Sequence, residues 1–388
     1  MASFRKRNDT WSYRIRYWDD QKGKWRETTK SGFRTKKEAQ LAAGEIEKEI
    51  EYSGFRENGN ETLEVYIKKW IEVYKRNKVR QTTFETLEYT ATHFIIPRWG
   101  NYQLKRIERT EYQKWINEVV ENFSVGTIRR INSIMNQALY DAVTEFKILK
   151  ENPIARIKLP KETKKKKIKF FLVDELERFL ENCKPVKNSK YKIDHSNYYM
   201  FFFMSRTGLR PGETIALEWS DIDFDNKTVS VTKTLIRPKD GSLRRLGPPK
   251  SNSSERVIKL DDETIRALKS HQINMKETQL AYLHYKTNPL NLIFPSQDGD
   301  YRRFTTMRGY FTGVCERAGV PLLSPHALRH THAVHLLESG ASLKYVSERL
   351  GHKSIKTTAD TYLHITKKIE DDSLNMYSSY MQKTSSKK

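Results

Sequence analysis

The 388-residue sequence predicts a multidomain α+β protein: a small N-terminal three-stranded sheet plus helix, an all-α helical bundle, and a mainly helical α+β C-terminal domain. Three observations predict it. The length exceeds one ordinary domain of roughly 100–200 residues. Hydrophobic residues make up 37% and aromatic residues 11%, which supplies separate cores. The apolar period also changes along the chain, from two residues near the N-terminus to 3.6 after Thr62 and to both periods beyond Lys169. The expected boundaries are 1–56, 60–160, a basic linker at 161–169, and 170–388.

In the first segment Trp11, Tyr13, Ile15 and Tyr17 alternate with Ser12, Arg14, Arg16 and Trp18, the pattern of a half-buried strand. Asp19 to Gly23 supplies turn chemistry, Lys24 to Thr29 suits a second strand, and Ser31-Gly32 before Phe33 allows a third. Thr35 and Glu38 have capping-box spacing and open a helix. Arg14, Arg16, Lys24 and Arg26 are expected on the open face of this sheet. Two readings stay open for them: ordinary edge-strand charge, or a ribbon that enters a DNA major groove.

From Thr62 the helical period takes over. Leu63, Tyr66, Ile67, Trp70, Ile71 and Tyr74 form one apolar stripe. A second helix is expected from Thr83 to Ile96, stopped by Pro97. A third opens at a Thr110/Gln113 capping box and carries Tyr112, Trp115, Ile116 and Val119. A fourth buries the apolar series from Ile128 to Phe146. The aromatic stripe reads as core rather than as a base-stacking platform. Lys161 to Lys169, after Pro160, is too charged and too short to bury itself, hence a linker.

The last segment mixes periods. Val229 to Leu235 and Arg256 to Leu260 read as strands, with Asp240-Gly241 as a hairpin signal. Phe171 to Asp174 leads into a helix, and Pro211 suits a first helical position.

Charge narrows the function. The chain has 71 Lys+Arg against 48 Asp+Glu, a formal charge of +23, and every segment is net positive. An anionic partner is expected, nucleic acid ahead of an acidic membrane surface, with a merely soluble basic surface as the plainer alternative. The longest apolar stretch, Tyr198 to Met204, falls well short of the roughly 20 residues a bilayer span needs. Residues 1–10 lack an apolar signal core, so a cytoplasmic protein is expected, and Cys183 and Cys315, far apart, suit a reducing compartment. His326, His330, His332 and His335 have helical spacing but no His-Glu-x-x-His pattern, and the acidic run Asp221, Asp223, Asp225 reads as a turn. No metal and no cofactor are expected.

The chemistry-bearing residues fall in one order. They are Thr207-Gly-Leu-Arg210-Pro-Gly-Glu213, Leu217-Glu-Trp-Ser-Asp-Ile-Asp223, Lys250, His326-Ala-Leu-Arg329-His330-Thr, Leu350-Gly-His352, and Tyr362 ten residues later. Singly each is ordinary. Together they resemble the tyrosine recombinase (phage integrase) family, over about residues 170–370. The helical segment resembles that family's core-binding domain, and the N-terminal sheet resembles the arm-type DNA-binding domain of phage and conjugative-transposon integrases.

The resemblance implies a metal-free site-specific DNA recombinase. Tyr362 is then the nucleophile that forms a 3′-phosphotyrosyl intermediate, which conserves bond energy without ATP. Lys250 is the general acid for the leaving 5′-oxygen, His326 and His352 hydrogen-bond the scissile phosphate, and His326 also assists proton transfer at the tyrosine. The residue types fit. A phosphodiester under attack gains negative charge, and Arg210 and Arg329 offer planar forks that match it. Glu213 is expected to pair with a nearby basic group. Further implied are arm-type and core-type sites on double-stranded DNA, a homotetramer, an excision factor and a DNA-bending host protein as partners, and integration or excision of a mobile element. The competing readings are a catalytically inactive DNA-binding regulator and a relaxing enzyme of the type IB topoisomerase kind.

Overall fold

The computed structural model describes residues 2–7, 9–19, 24–53, 61–161, 168–184, 196–236, 245–247, 254–281 and 288–362. The chain divides into two compact units, Met1–Lys165 and Lys166–Lys388. The expected hairpin signal at Asp240-Gly241, the turn at residues 20–23 and most of the linker lie outside the described residues.

The first unit opens with an antiparallel sheet of β1 (Ala2–Arg7), β2 (Thr10–Asp19) and β3 (Lys24–Phe33), in that order, followed by α1 (Lys36–Ser53). Three strands are present, but not the three that the sequence suggested. Residues 24–33 form one continuous strand, and the third partner is Ala2–Arg7. Tyr13, Ile15 and Ala43 form a small core to which Phe4, Phe33 and Ile46 add. The helix start uses the expected pair, with the Glu38 N–H donating to Thr35 Oγ1 at 3.1 Å. Glu38 Oε2, however, accepts from the Arg34 N–H rather than from Thr35.

Register corrects the placement of the four basic residues. Tyr17 lies opposite Arg26 and Asp19 opposite Lys24, so Arg26 and Lys24 share the face of buried Tyr17. Arg14 and Arg16, opposite Thr29 and Glu27, are on the open face. Strand alternation puts Arg5 and Arg7 of β1 on that open face too, since they pair with Ser12 and Thr10.

The helical part of the first unit comprises α2 (Leu63–Trp70), α3 (Gln81–Thr90), α4 (Ile96–Trp99), α5 (Arg109–Asn122) and α6 (Val125–Thr144). Its core holds the expected stripe, with Leu63, Tyr66, Ile67, Trp70, Trp99, Tyr112, Ile116 and Ile128 at 0% exposure. Two expectations fail for physical reasons. Pro97 does not stop the second helix. A π-helical turn at Ala91–Ile95 precedes α4, and Pro97 then sits in that helix's first turn, where its missing N–H costs no bond. Thr110 does not cap α5 either. Glu108 takes the N-cap position, and Gln113 instead ties down the chain after α6, accepting from the Lys158 N–H at 2.8 Å and donating to its carbonyl at 2.9 Å. By contrast the Ser124 hydroxyl caps α6.

Two buried polar atoms of this core are paired across helices. The Tyr66 hydroxyl donates to the Ala138 carbonyl at 2.6 Å, and the Trp70 indole N–H donates to Asp141 Oδ2 at 2.7 Å.

The second unit contains α7 (Val173–Cys183), α8 (Ser196–Thr207), α9 (Pro211–Ile215), β4 (Ile222–Asp223), β5 (Thr228–Val231), β6 (Thr234–Ile236), β7 (Arg245–Gly247), β8 (Arg256–Lys259), α10 (Asp262–Ala281), α11 (Phe304–Ala318), α12 (Ala327–Glu338), α13 (Leu343–Leu350) and α14 (Ile355–Tyr362). The single strand expected at 229–235 is split. β5 joins β4 and β8 in one antiparallel sheet, while β6 pairs with β7 in a separate ribbon. The acidic run is a turn as expected: Asp223 Oδ1 accepts from the N–H groups of Asp225 and Asn226. At the centre runs α8, apolar nearly all round, with Met200, Phe201, Phe203 and Met204 buried against Phe171, Phe179, Phe294 and Phe311. Cys183 and Cys315 are free and buried.

Replacing Asp141 with Ala leaves the Trp70 indole N–H buried without an acceptor. A loss of about 1–3 kcal/mol is expected in chemical denaturation followed by tryptophan fluorescence. An unchanged midpoint would show that the bond contributes nothing net.

Candidate active site

The site is assembled from chain reversals at helix ends. Arg210 occupies the N-cap of α9, with Pro211 at the first helical position as expected. Just before it, Gly208 has φ of +67°, and a Cβ there would lie 2.7 Å from both His332 Cδ2 and Leu350 Cδ2. Only glycine fits this bend. The Arg210 N–H donates to Glu213 Oε2 at 2.9 Å.

Glu213 is the anchor. It is 1% exposed, and its carboxylate is paired with Arg210 Nη1 at 2.6 Å and Arg256 Nη2 at 3.0 Å. Burial alone would raise its pKa, but the charges and hydrogen bonds of Arg256 and then Arg210 hold it below the usual carboxylate range. The basic partner expected for Glu213 is thus two arginines. Arg256, which sequence reasoning did not single out, also donates to the carbonyls of Arg349 and Ser254.

Arg329, on the first turn of α12, is 2% exposed and donates to the carbonyls of Gly208 at 2.9 Å and Leu350 at 2.7 Å. Burial, and next the charge of Arg210, lower its pKa to about 9, so it stays cationic at neutral pH. Arg210 Nη2 reaches the carbonyl of Gly351, at the left-handed end of α13. The next residue, His352, shares a hydrogen bond between Nδ1 and the Thr358 hydroxyl at 2.7 Å. Its pKa is lowered to about 4 by burial and then by Arg329 and Arg210. His326 stands at the N-cap of α12, more than a third exposed, and is likewise lowered to about 4 by the surrounding protein and then by His330, Arg329 and Arg210. Both imidazoles are neutral at pH 7.

Tyr362 closes the set. Its side chain is 1% exposed, and its hydroxyl lies 2.8 Å from Nδ1 of His330. Burial pushes the phenol up to about 12, against the opposing pull of Arg329. The imidazole in contact with the phenol is therefore His330, not His326 as the resemblance implied. The His326 ring instead meets His330 edge-on, with centroids 4.9 Å apart. Sequence reasoning named His330 within the family motif and among candidate zinc histidines but gave it no catalytic role, and helical spacing from Tyr362 could not have revealed one because the two residues lie on different helices.

The structure thus brings Arg210, His326, Arg329, His352 and Tyr362 together in one unit, whereas Lys250 lies outside the described residues. The other histidines diverge. His332 Nδ1–H donates to the Ser205 carbonyl while its Nε2 accepts from Arg349 Nε, and His335 Nε2 bonds the Phe171 carbonyl. Among the described residues no group of His, Cys, Asp or Glu is arranged to hold a metal ion, and no helix is long and apolar enough to cross a membrane. Arg14 and Arg16 belong to the first unit, on the sheet face where Trp18 and Trp25 are also exposed and Arg16 lies 5.2 Å from the Trp25 ring.

Comparison with known proteins places this geometry. The model of the phage integrase family matches residues 169–368, that of an arm DNA-binding domain residues 3–50, and that of the phage integrase N-terminal SAM-like domain residues 62–120. The chain is 28% identical over 358 residues to a XerC-like tyrosine recombinase of Caldanaerobacter subterraneus, covering 86% of this chain and 87% of the relative. It is 30% identical to the tyrosine recombinase XerD of Oceanobacillus iheyensis, covering 76% and 87%. The solved structure of the Tn1549 transposon integrase with transposon right end DNA has the same fold, with a TM-score of 0.64, 22% identity and coverage of 78% and 94%.

Acid sensitivity follows from the histidines. His330, His332 and His352 all have lowered pKa values, burial being the first cause in each, and His332 falls to about 3. Each lies below its unfolded value, so the unfolded chain binds more protons and stability falls as pH drops below about 6.5. For His332, 8% exposed, the loss between pH 6.5 and 5 is about 2 kcal/mol. The thermal midpoint is expected to fall from pH 7 to pH 5, and to fall less in His332→Gln. Equal falls in both proteins would contradict the assignment.

Proposed function

The chain belongs to the phage integrase family of tyrosine recombinases, and on that premise we propose how its residues carry out site-specific DNA strand exchange. The protein cleaves and rejoins DNA through a covalent bond to tyrosine. The observation that carries this reading is a buried tyrosine, bonded to His330, in the field of a carbonyl-anchored arginine that is fixed before any substrate arrives.

Arg210 and Arg329 clamp the scissile phosphate, with His326 and His352 as neutral hydrogen-bond donors to its oxygens. Such preorganised donors stabilise charge that develops only in the transition state. Attack of Tyr362 Oη on phosphorus forms the 3′-phosphotyrosyl bond and expels the 5′-oxygen, which Lys250 protonates. Attack by a 5′-hydroxyl from a second duplex reverses the step with the partner exchanged.

The flanking parts select the DNA. Residues 60–160 grip the core-type site around the crossover, and residues 1–56 bind arm-type sites. Arg14 and Arg16 approach DNA together with Arg5 and Arg7, and Lys24 and Arg26, on the other face, reach DNA less readily. Residues 161–169 are a basic tether between the two units, and 170–388 carry the chemistry. Exchange between two duplexes needs four strand cleavages, hence four copies of the chain on DNA. Integration and excision of a mobile genetic element, with an excision factor and a DNA-bending host protein as accessories, is the process this serves.

The first test is trapping of the covalent species. With a nicked cognate duplex in EDTA and without ATP, wild type is expected to give a covalent protein–DNA band on a denaturing gel, and Tyr362→Phe none. Tight cognate binding without an adduct from wild type would favour a DNA-binding regulator instead. Affinity for that duplex is also expected to fall steeply with salt, since many phosphates are neutralised. A flat response between 50 and 200 mM, roughly the range over which such binding weakens most visibly, would contradict the charge argument.

A further inference from the structure

We propose that His330 is the general base that takes the proton from Tyr362, a step that rests on the strand-exchange reading above. The hydroxyl of Tyr362 must lose its proton as its oxygen attacks phosphorus. At 1% exposure it has almost no access to solvent, and its hydrogen-bond partner is His330 Nδ1 at 2.8 Å. This is within the reach required of a proton acceptor. The two rings meet at 64°, with centroids 5.9 Å apart, so the phenol presents its oxygen to the imidazole edge rather than stacking on it.

The surroundings suit a base. His330 follows Arg329 on α12, and Arg329 is fixed by two backbone carbonyls, so the helix that carries the base is tied to the phosphate clamp. The groups facing His330 are His326, Arg329, Tyr362, and Lys169 and Arg308 in the cavity that it lines. None of these is a carboxylate. Burial, and next the charge of Arg329, lower the pKa of the imidazole in the free protein, which leaves Nδ1 able to accept once Nε2 carries the ring proton. A bound phosphodiester then supplies the missing negative charge and favours the imidazolium. The base strengthens when DNA occupies the site.

The step balances without a co-reactant. The Oη–H bond breaks as Nδ1 takes the proton, the Oη–P bond forms, and the P–O5′ bond breaks, its oxygen receiving a separate proton from Lys250. In the return step His330 gives its proton back to the departing phenolate.

Single-turnover adduct formation on the nicked duplex between pH 6 and 9 tests this, with wild type, His330→Ala and His330→Gln. Both variants are expected to cleave about 10²–10⁴-fold more slowly while binding the duplex within a few-fold of wild type. Glutamine preserves a hydrogen bond to the phenol but cannot take a proton, so a role in positioning alone predicts that it cleaves normally. Incorporating 3,5-difluorotyrosine at position 362, which acidifies the phenol, is expected to recover much of the loss in both variants. A bridging 5′-phosphorothiolate, whose leaving group needs no proton, is expected to recover none of it. Wild-type cleavage by His330→Gln, or rescue by the phosphorothiolate but not by difluorotyrosine, would overturn the proposal while leaving strand exchange intact. Absence of any adduct from wild type would overturn both.

Discussion

The second unit is organised around one buried carboxylate. Glu213 sits between Arg210 and Arg256, and its removal from water is tolerable only because both arginines are bonded to it. With Arg329 nearby, three guanidinium groups share this counter-charge among the described residues. The pocket therefore keeps a net positive charge, the condition a phosphate needs. Glu213 also sets positions, because it binds both the side chain and the backbone N–H of Arg210. From Arg256 the chain of contacts continues to the Arg349 carbonyl, and Arg349 in turn donates to His332, which donates to Ser205 in the central helix. The cation cluster is thereby continuous with the apolar core.

Backbone carbonyls carry much of the remaining work. Those of Gly208, Leu350 and Gly351 all accept from Arg210 or Arg329, and all lie where a chain reversal leaves them unpaired by helix bonds. The left-handed residues Gly208 and Gly351 make those reversals possible. Helix ends thus supply partial negative charge that holds the arginines without neutralising them. A second carboxylate would hold them as firmly but would leave less attraction for DNA.

Much of this was legible in the sequence. The order of Arg210, His326, Arg329, His352 and Tyr362 singles out residues that the fold brings together, because phosphoryl chemistry constrains residue type, and the helical stripe from Leu63 to Trp70 reads directly as core. Less was legible where long-range pairing decides. β1 has only Ala2 and Phe4 as apolar residues and is a strand because β2 offers it an edge. Arg26 and Lys24 could be assigned a face only once the register with Tyr17 and Asp19 was known. Pro97 misled because the π-helical turn that accommodates it has no separate sequence signature. Arg256 and His330 act through partners 43 and 32 residues away, a separation that no local pattern encodes.

Arg329 bonds to residues 121 positions before it and 21 positions after it, and only the native arrangement brings all three segments together. The cutting apparatus therefore exists only as a product of completed folding. A chain clipped between these segments still carries Tyr362 but lacks the anchored arginine. Folding of the domain and assembly of the arginine site are in this sense one event.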